Sequence, residues 1–166
     1  MFHHIEDFIR IWKAEAERTE SLLQKIPDEG LDKKPVPALR TIGRLIWHII
    51  ETPKEMLERT GLKVIGPEWG TQPPKSIQEI IEMHRQVANS VVKMIQENWT
   101  DDSLNELDDM YGERWKKRQT LSALLLHTIH HRSQLTVLMR AADIEVTGLY
   151  GPAKHEWAAM GLEPME

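Results

Sequence analysis

The chain has 166 residues, 40% hydrophobic and 28% charged, which is the balance of a folded domain and not of a disordered segment. Its net charge of -5 gives a phosphate backbone no general attraction, and the absence of cysteine excludes disulfides, thiolate metal sites and a cysteine nucleophile. No apolar run approaches the ~18–20 residues of a spanning helix, and residues 1–7 lack the basic-then-apolar order of a secretory leader. The expected setting is therefore the cytoplasm, with neither a membrane nor a nucleic acid as partner.

The first helix is predicted over residues 4–26, where Ile5, Phe8, Ile9, Trp12, Ala16, Thr19, Leu22, Leu23 and Ile26 recur at helical spacing. Pro27 and Gly30 end it, and Pro35 with Pro37 keep the connector extended. Thr41 caps a second helix that runs to Thr60 and stops at Gly61, with Ile42, Leu45, Ile49, Thr52 and Met56 as its stripe. Pro53 lies inside it, where a lost backbone hydrogen bond predicts a kink. After a proline- and glycine-rich loop, Ser76 and Glu79 have the spacing of a capping box and open a third helix, with Ile77, Ile80, His84, Val87, Val91, Met94 and Ile95 inward.

Residues 100–117 are polar and irregular, with room for a small hairpin turning at Tyr111-Gly112. Their acidic run, followed by the basic cluster from Arg114 to Arg118, is expected to be a solvated connector. Thr120 is the predicted N-cap of a fourth helix reaching Ala142, whose stripe is Leu121, Leu124, Thr128, His131, Leu135, Leu138 and Ala142. The tail is expected to be a loop with one short helix near Trp157. Four amphipathic helices without a convincing strand pattern predict an all-α four-helix bundle, with residues 1–166 as a single domain.

The histidines carry the chemistry. On a helical wheel centred on Leu124, His131 lies about 20° and His127 about 60° to one side, while His130 points about 120° away. His127 and His131 are one turn apart on one face, a spacing that lets two imidazoles share an ion. His48 lies about 60° from Leu45 on the second helix and projects toward the same interior. Three imidazoles would leave coordination positions open, as catalytic metal sites do. Pattern alone also allows each of them to be a hydrogen-bonded core histidine.

The run Leu124-Leu125-Leu126-His127-Thr128-Ile129-His130-His131-Arg132-Ser133-Gln134-Leu135 resembles the last-helix signature of the DinB/YfiT-like family, a histidine followed after three residues by His-Arg-Gly-Gln. Ile42-Gly43-Arg44-Leu45-Ile46-Trp47-His48-Ile49-Ile50-Glu51 is similar to the family's second helix, and the order of elements agrees through the Leu149-Tyr150-Gly151-Pro152 tail. Ser133 departs from the usual glycine but is still small. The resemblance implies an up-down-down-up bundle and His48, His127 and His131 as ligands of a divalent ion, nickel or zinc first, with manganese or iron as alternatives. It also implies a homodimer and a small-molecule substrate, with a low-molecular-weight thiol as cosubstrate of a transferase. A hydrolase of amides or esters and a non-catalytic metal-binding dimer are the competing expectations.

Several neighbours are candidates for supporting roles. Glu51 and Glu55 could each orient a ligand imidazole, although a solvated surface position is the plainer expectation for both. Arg132 and Gln134 are expected in bundle hydrogen bonds or at an interface. Tyr150 is expected to close over the site from the tail. His84 is expected to be a core histidine, with a fourth-ligand role as the alternative, and Trp12, Trp47 and Trp99 are expected in the core or an interface.

Overall fold

Each predicted stripe becomes the buried face of a helix: α1 Ile5–Leu23, α2 Ile42–Glu58, α3 Ile77–Asn98 and α4 Lys117–Ala141. The computed structural model describes residues 2–164. The apolar residues form two clusters stacked along the bundle, one around Leu22, Ile46, Ile80 and Leu135 and the other around Phe8, Leu57, Ile95 and Leu124.

Contacts at the helix ends fix the directions. The start of α1 meets the end of α3, where the Ile5 amide donates to Asp101 Oδ1 at 2.8 Å. The residues after α1 meet the start of α3, with the Ile77 amide donating to Asp28 Oδ1 at 2.7 Å. Lys25, just past α1, pairs with Glu145, just past α4, and the Gly43 amide at the start of α2 donates to Leu31 O. The order is therefore up-down-down-up. Because α2 and α3 run parallel, the chain between them must cross the length of the bundle, which accounts for the long connector at residues 59–76.

The capping differs in part from expectation. Thr41 caps α2, accepting from the Arg44 amide at 3.2 Å. Ser76 stands at the N-cap of α3 without a side-chain bond; Asp28, from a distant turn, takes the Ile77 amide instead. α2 continues through Pro53, which is buried within it. Residues 100–117 are more ordered than a solvated connector. Strands β1 Leu107–Met110 and β2 Glu113–Lys116 pair antiparallel, Leu107 opposite Lys116 and Met110 opposite Glu113. They turn at Tyr111 (φ 60°) and Gly112 (φ 84°), the two consecutive left-handed residues of a tight hairpin.

β2 runs directly into α4, which starts at Lys117 and not after Thr120. The Lys117 amide donates to Glu106 O, and its buried ammonium pairs with Glu106 and Asp108 across the hairpin. Thr120 ends up buried, with its hydroxyl unpartnered. In the tail, two single 3-10 turns, Lys154–Glu156 and Ala158–Met160, take the place of the short helix. Among the described residues no helix is long and apolar enough to cross a membrane.

Candidate metal centre

The spacing on α4 delivers the first two imidazoles. One helical turn places the His127 and His131 ring centroids 4.3 Å apart. Antiparallel packing of α2 on α4 then adds His48, whose centroid lies 5.1 Å from that of His127 and 4.6 Å from that of His131. One nitrogen from each ring lies within 4.8 Å of the others. His48 is buried and the other two are half-buried, so the cluster is closed on the bundle side and open on the other.

Hydrogen bonds orient two of the rings. His48 Nδ1 lies 3.4 Å from Glu51 Oε1, and His131 Nδ1 lies 2.7 Å from Gln134 Oε1. Both partners are acceptors, so each Nδ1 carries the proton and each Nε2 keeps its lone pair for a ligand. Gln134 is held in turn through its amide nitrogen, 3.0 Å from His130 Nε2. His127 Nδ1 is buried without any partner.

Charge state matches this donor set. Burial holds the His48 imidazole below its ordinary value, with the Arg40 and His131 charges adding to the effect against the pull of Glu51. Burial, then His131 and His48, push His127 down to about 4. His131 is also lowered, by burial against its bond to Gln134. Each ring is thus favoured as the neutral imidazole that binds metals. Three neutral nitrogen donors with an open side suit a metal ion, and the cluster could hold one.

Glu51 departs from the expectation of a solvated surface side chain. It is fully buried, and besides the His48 contact it accepts from Arg44 Nη2 at 2.7 Å and from the Gly70 amide at 3.0 Å. The α2–α3 connector folds back over this face of α2, so a position outside the apolar stripe becomes interior. The same connector carries Trp69, whose ring meets His48 edge-on at 5.3 Å between centroids.

Glu55 orients no ligand ring. Its carboxylate accepts from Arg59 Nε at 2.8 Å and from the Tyr111 hydroxyl at 2.6 Å, tying the hairpin tip to α2. Arg132 is the largest fully buried side chain and bonds within the bundle, pairing with Glu15 and donating to Glu15 O at 2.9 Å. Tyr150 does not close over the histidines. Its hydroxyl donates to Glu15 Oε2 at 2.6 Å and accepts from Arg132 Nη2. His84 is a buried residue of the α1–α3 interface and is not among the clustered imidazoles. Trp12, Trp47 and Trp99 are buried.

A cavity of about 480 Å³ opens beside the cluster, with His127 in its wall. Met56, Trp69, Tyr111, Trp115 and Ala123 make it mostly apolar, and Glu55 supplies a carboxylate. The Tyr111 and Trp115 rings meet edge-on at 5.9 Å, and the Arg59 guanidinium lies over the Tyr111 ring at 4.5 Å. Of these aromatics, the sequence singles out only Tyr111, and as a turn. Trp69 inside a proline- and glycine-rich loop was the available signal, since a large exposed aromatic there has no local packing role.

The DinB family model matches residues 1–166. The chain belongs to the DinB family. This DinB-family chain is 36% identical over 163 residues to the uncharacterized protein YrdA of Bacillus subtilis (strain 168), covering 98% of each. Among solved structures, a DinB-like protein from Bacillus cereus ATCC 10987 superposes with a TM-score of 0.86 at 36% identity, covering 90% of this chain and 100% of that one. The DinB-like protein YjoA of Bacillus subtilis superposes at 0.68 with 18% identity, covering 89% of this chain and 99% of that one, and shares the fold.

Proposed function

We propose that this chain is a divalent-metal-dependent S-transferase, joining the sulfur of a small thiol to a small electrophile in the 480 Å³ cavity. The observation that carries this reading is the convergence of His48, His127 and His131 beside that cavity. Nickel or zinc suits the nitrogen donors, and the ion would supply Lewis acidity that favours the thiolate at neutral pH. The chain contains no cysteine, so the sulfur arrives with a cosubstrate.

The remaining work belongs to the chain's own residues. Glu51 and Gln134 hold the Nδ1 protons of His48 and His131 and so aim both rings. Trp69, Tyr111 and Trp115 give the electrophile an apolar wall. Burial, then the bond to Glu55, push the Tyr111 phenol up to about 12, so it stays a hydrogen-bond donor and does not serve as a base. In the reaction the S–H bond breaks and a sulfur–carbon bond forms, while the electrophilic carbon gives up its bond to a leaving group or ring oxygen, which departs with the electron pair and takes up the thiol proton. A homodimer in the reducing cytoplasm completes the reading.

Elemental analysis of purified protein should find about one divalent ion per chain, and His127→Ala with His131→Ala should abolish it. Conjugate formation from a small electrophile should require both ion and thiol. Unchanged metal content in the double variant would refute the ligand assignment, and turnover at the same rate without thiol would replace transfer by hydrolysis.

A further inference from the structure

A second cavity, of about 290 Å³, opens one turn along α4 from the first. His131, not His127, stands in its wall, together with Arg40, Gln134 and the apolar side chains of Leu39, Leu45 and Leu138. On α2 it reaches Leu45, whereas the first cavity reaches Thr52 and Met56. His127 and His131, on successive turns of α4, therefore stand between an aromatic chamber and a smaller one with a single cationic side chain.

That cation is uncommitted. Among the described residues no carboxylate lies within ion-pairing distance of the exposed Arg40, as is also true of Arg114, Arg118 and Arg140, although Arg10, Arg18, Arg44, Arg59, Arg85 and Arg132 each have one. The neighbouring start of α2 offers an anion nothing, because its first amides are taken. Ile42 N donates to Lys33 O, Gly43 N to Leu31 O, Arg44 N to Thr41 Oγ1 and Leu45 N to Thr41 O. Gln134 is spent on His131 and His130.

We propose that this cavity is the subsite for the carboxylate of a small organic anion, held by the Arg40 guanidinium with its other end directed past His131 to the three imidazoles. The planar fork of arginine matches a carboxylate with two parallel hydrogen bonds, and the flanking leucines accept a short methylene chain. Resting on the transferase reading, the inference makes the cosubstrate a carboxylate-bearing thiol that enters opposite the electrophile.

The test compares 3-mercaptopropionate with 3-mercaptopropanol, and sulfur-free butyrate with butanol, by ligand-observed NMR titration of zinc-loaded and metal-depleted protein. Wild type should prefer each anion over its neutral analogue by about fivefold, the range of a partly exposed ion pair. Arg40→Gln should bring each pair to parity with metal content unchanged, and Arg40→Lys should keep part of the preference. Discrimination that persists in Arg40→Gln, or that vanishes from wild type when the metal is removed, overturns the proposal by making the ion itself the anion receptor. A preference for butyrate that depends on Arg40 upholds the subsite even if no thiol is ever transferred, which separates its fate from that of the transferase reading.

Discussion

Replacing Glu51 by glutamine tests whether the buried carboxylate serves the metal centre or only the fold. Glutamine keeps the volume but removes the charge that faces His48 Nδ1, Arg44 Nη2 and the Gly70 amide. Loss of a group that orients a ligand histidine typically costs 10–100-fold in metal affinity, about 1.4–2.8 kcal/mol. At 3.4 Å the His48 contact is long for a hydrogen bond, which points to the lower end, about tenfold. Separately, the Arg44 guanidinium loses its ion pair; as it is a quarter exposed, solvent limits that loss to about 1 kcal/mol of folding stability. Competition with a chromophoric chelator gives the affinity, and denaturant unfolding of metal-free protein gives the stability. Metal affinity within twofold of wild type, with stability lowered, would show that Glu51 braces the α2–α3 connector and leaves the imidazoles alone.

Two further outcomes concern the bundle around the site. Arg132→Met leaves the buried Glu15 carboxylate to the partly exposed Arg18 and the Tyr150 hydroxyl and should cost about 3 kcal/mol in denaturant unfolding, whereas Arg132→Met with Glu15→Met should recover part of it; equal losses in both would refute a buried pair. His84 is pushed down to about 4, chiefly by burial, from an ordinary value of 6.5. The unfolded chain therefore takes up this proton before the folded one, so stability is whole above pH 6.5 and declines as pH falls toward 4, by about 2 kcal/mol at pH 5. Between pH 7 and pH 5, wild type should lose that much more than His84→Leu; parallel losses would remove His84 as the cause.

Periodicity made most of the fold legible. The stripes of α1 to α4 were readable because burial of an apolar face repeats with the helical period, and Gly61 (φ 86°) follows α2 closely, although the helix ends at Glu58, two residues short of Thr60. The ends were harder. At Ser76 and Thr120 the sequence offered good local caps, but Asp28 from another turn took the first cap and the hairpin-to-helix continuation bypassed the second. Both cases turn on hydrogen-bond partners distant in sequence, which no local pattern contains.

The site divides along the same line. From the sequence alone, His127 and His131 were bound to share a face of one helix, since four residues make about one turn, and His48 lay about 60° from Leu45, on the flank of its helix's apolar stripe. Tertiary packing decided that the three rings meet, because only the antiparallel contact of α2 with α4 sets their relative height. It also decided the surroundings: a connector that buries Glu51 and presents Trp69, a hairpin that supplies Tyr111 and Trp115, and a tail that carries Tyr150 away to Glu15. Helical periodicity records which way a residue faces on its own element. The loop that will cover that residue is specified elsewhere in the chain and becomes its neighbour only on folding.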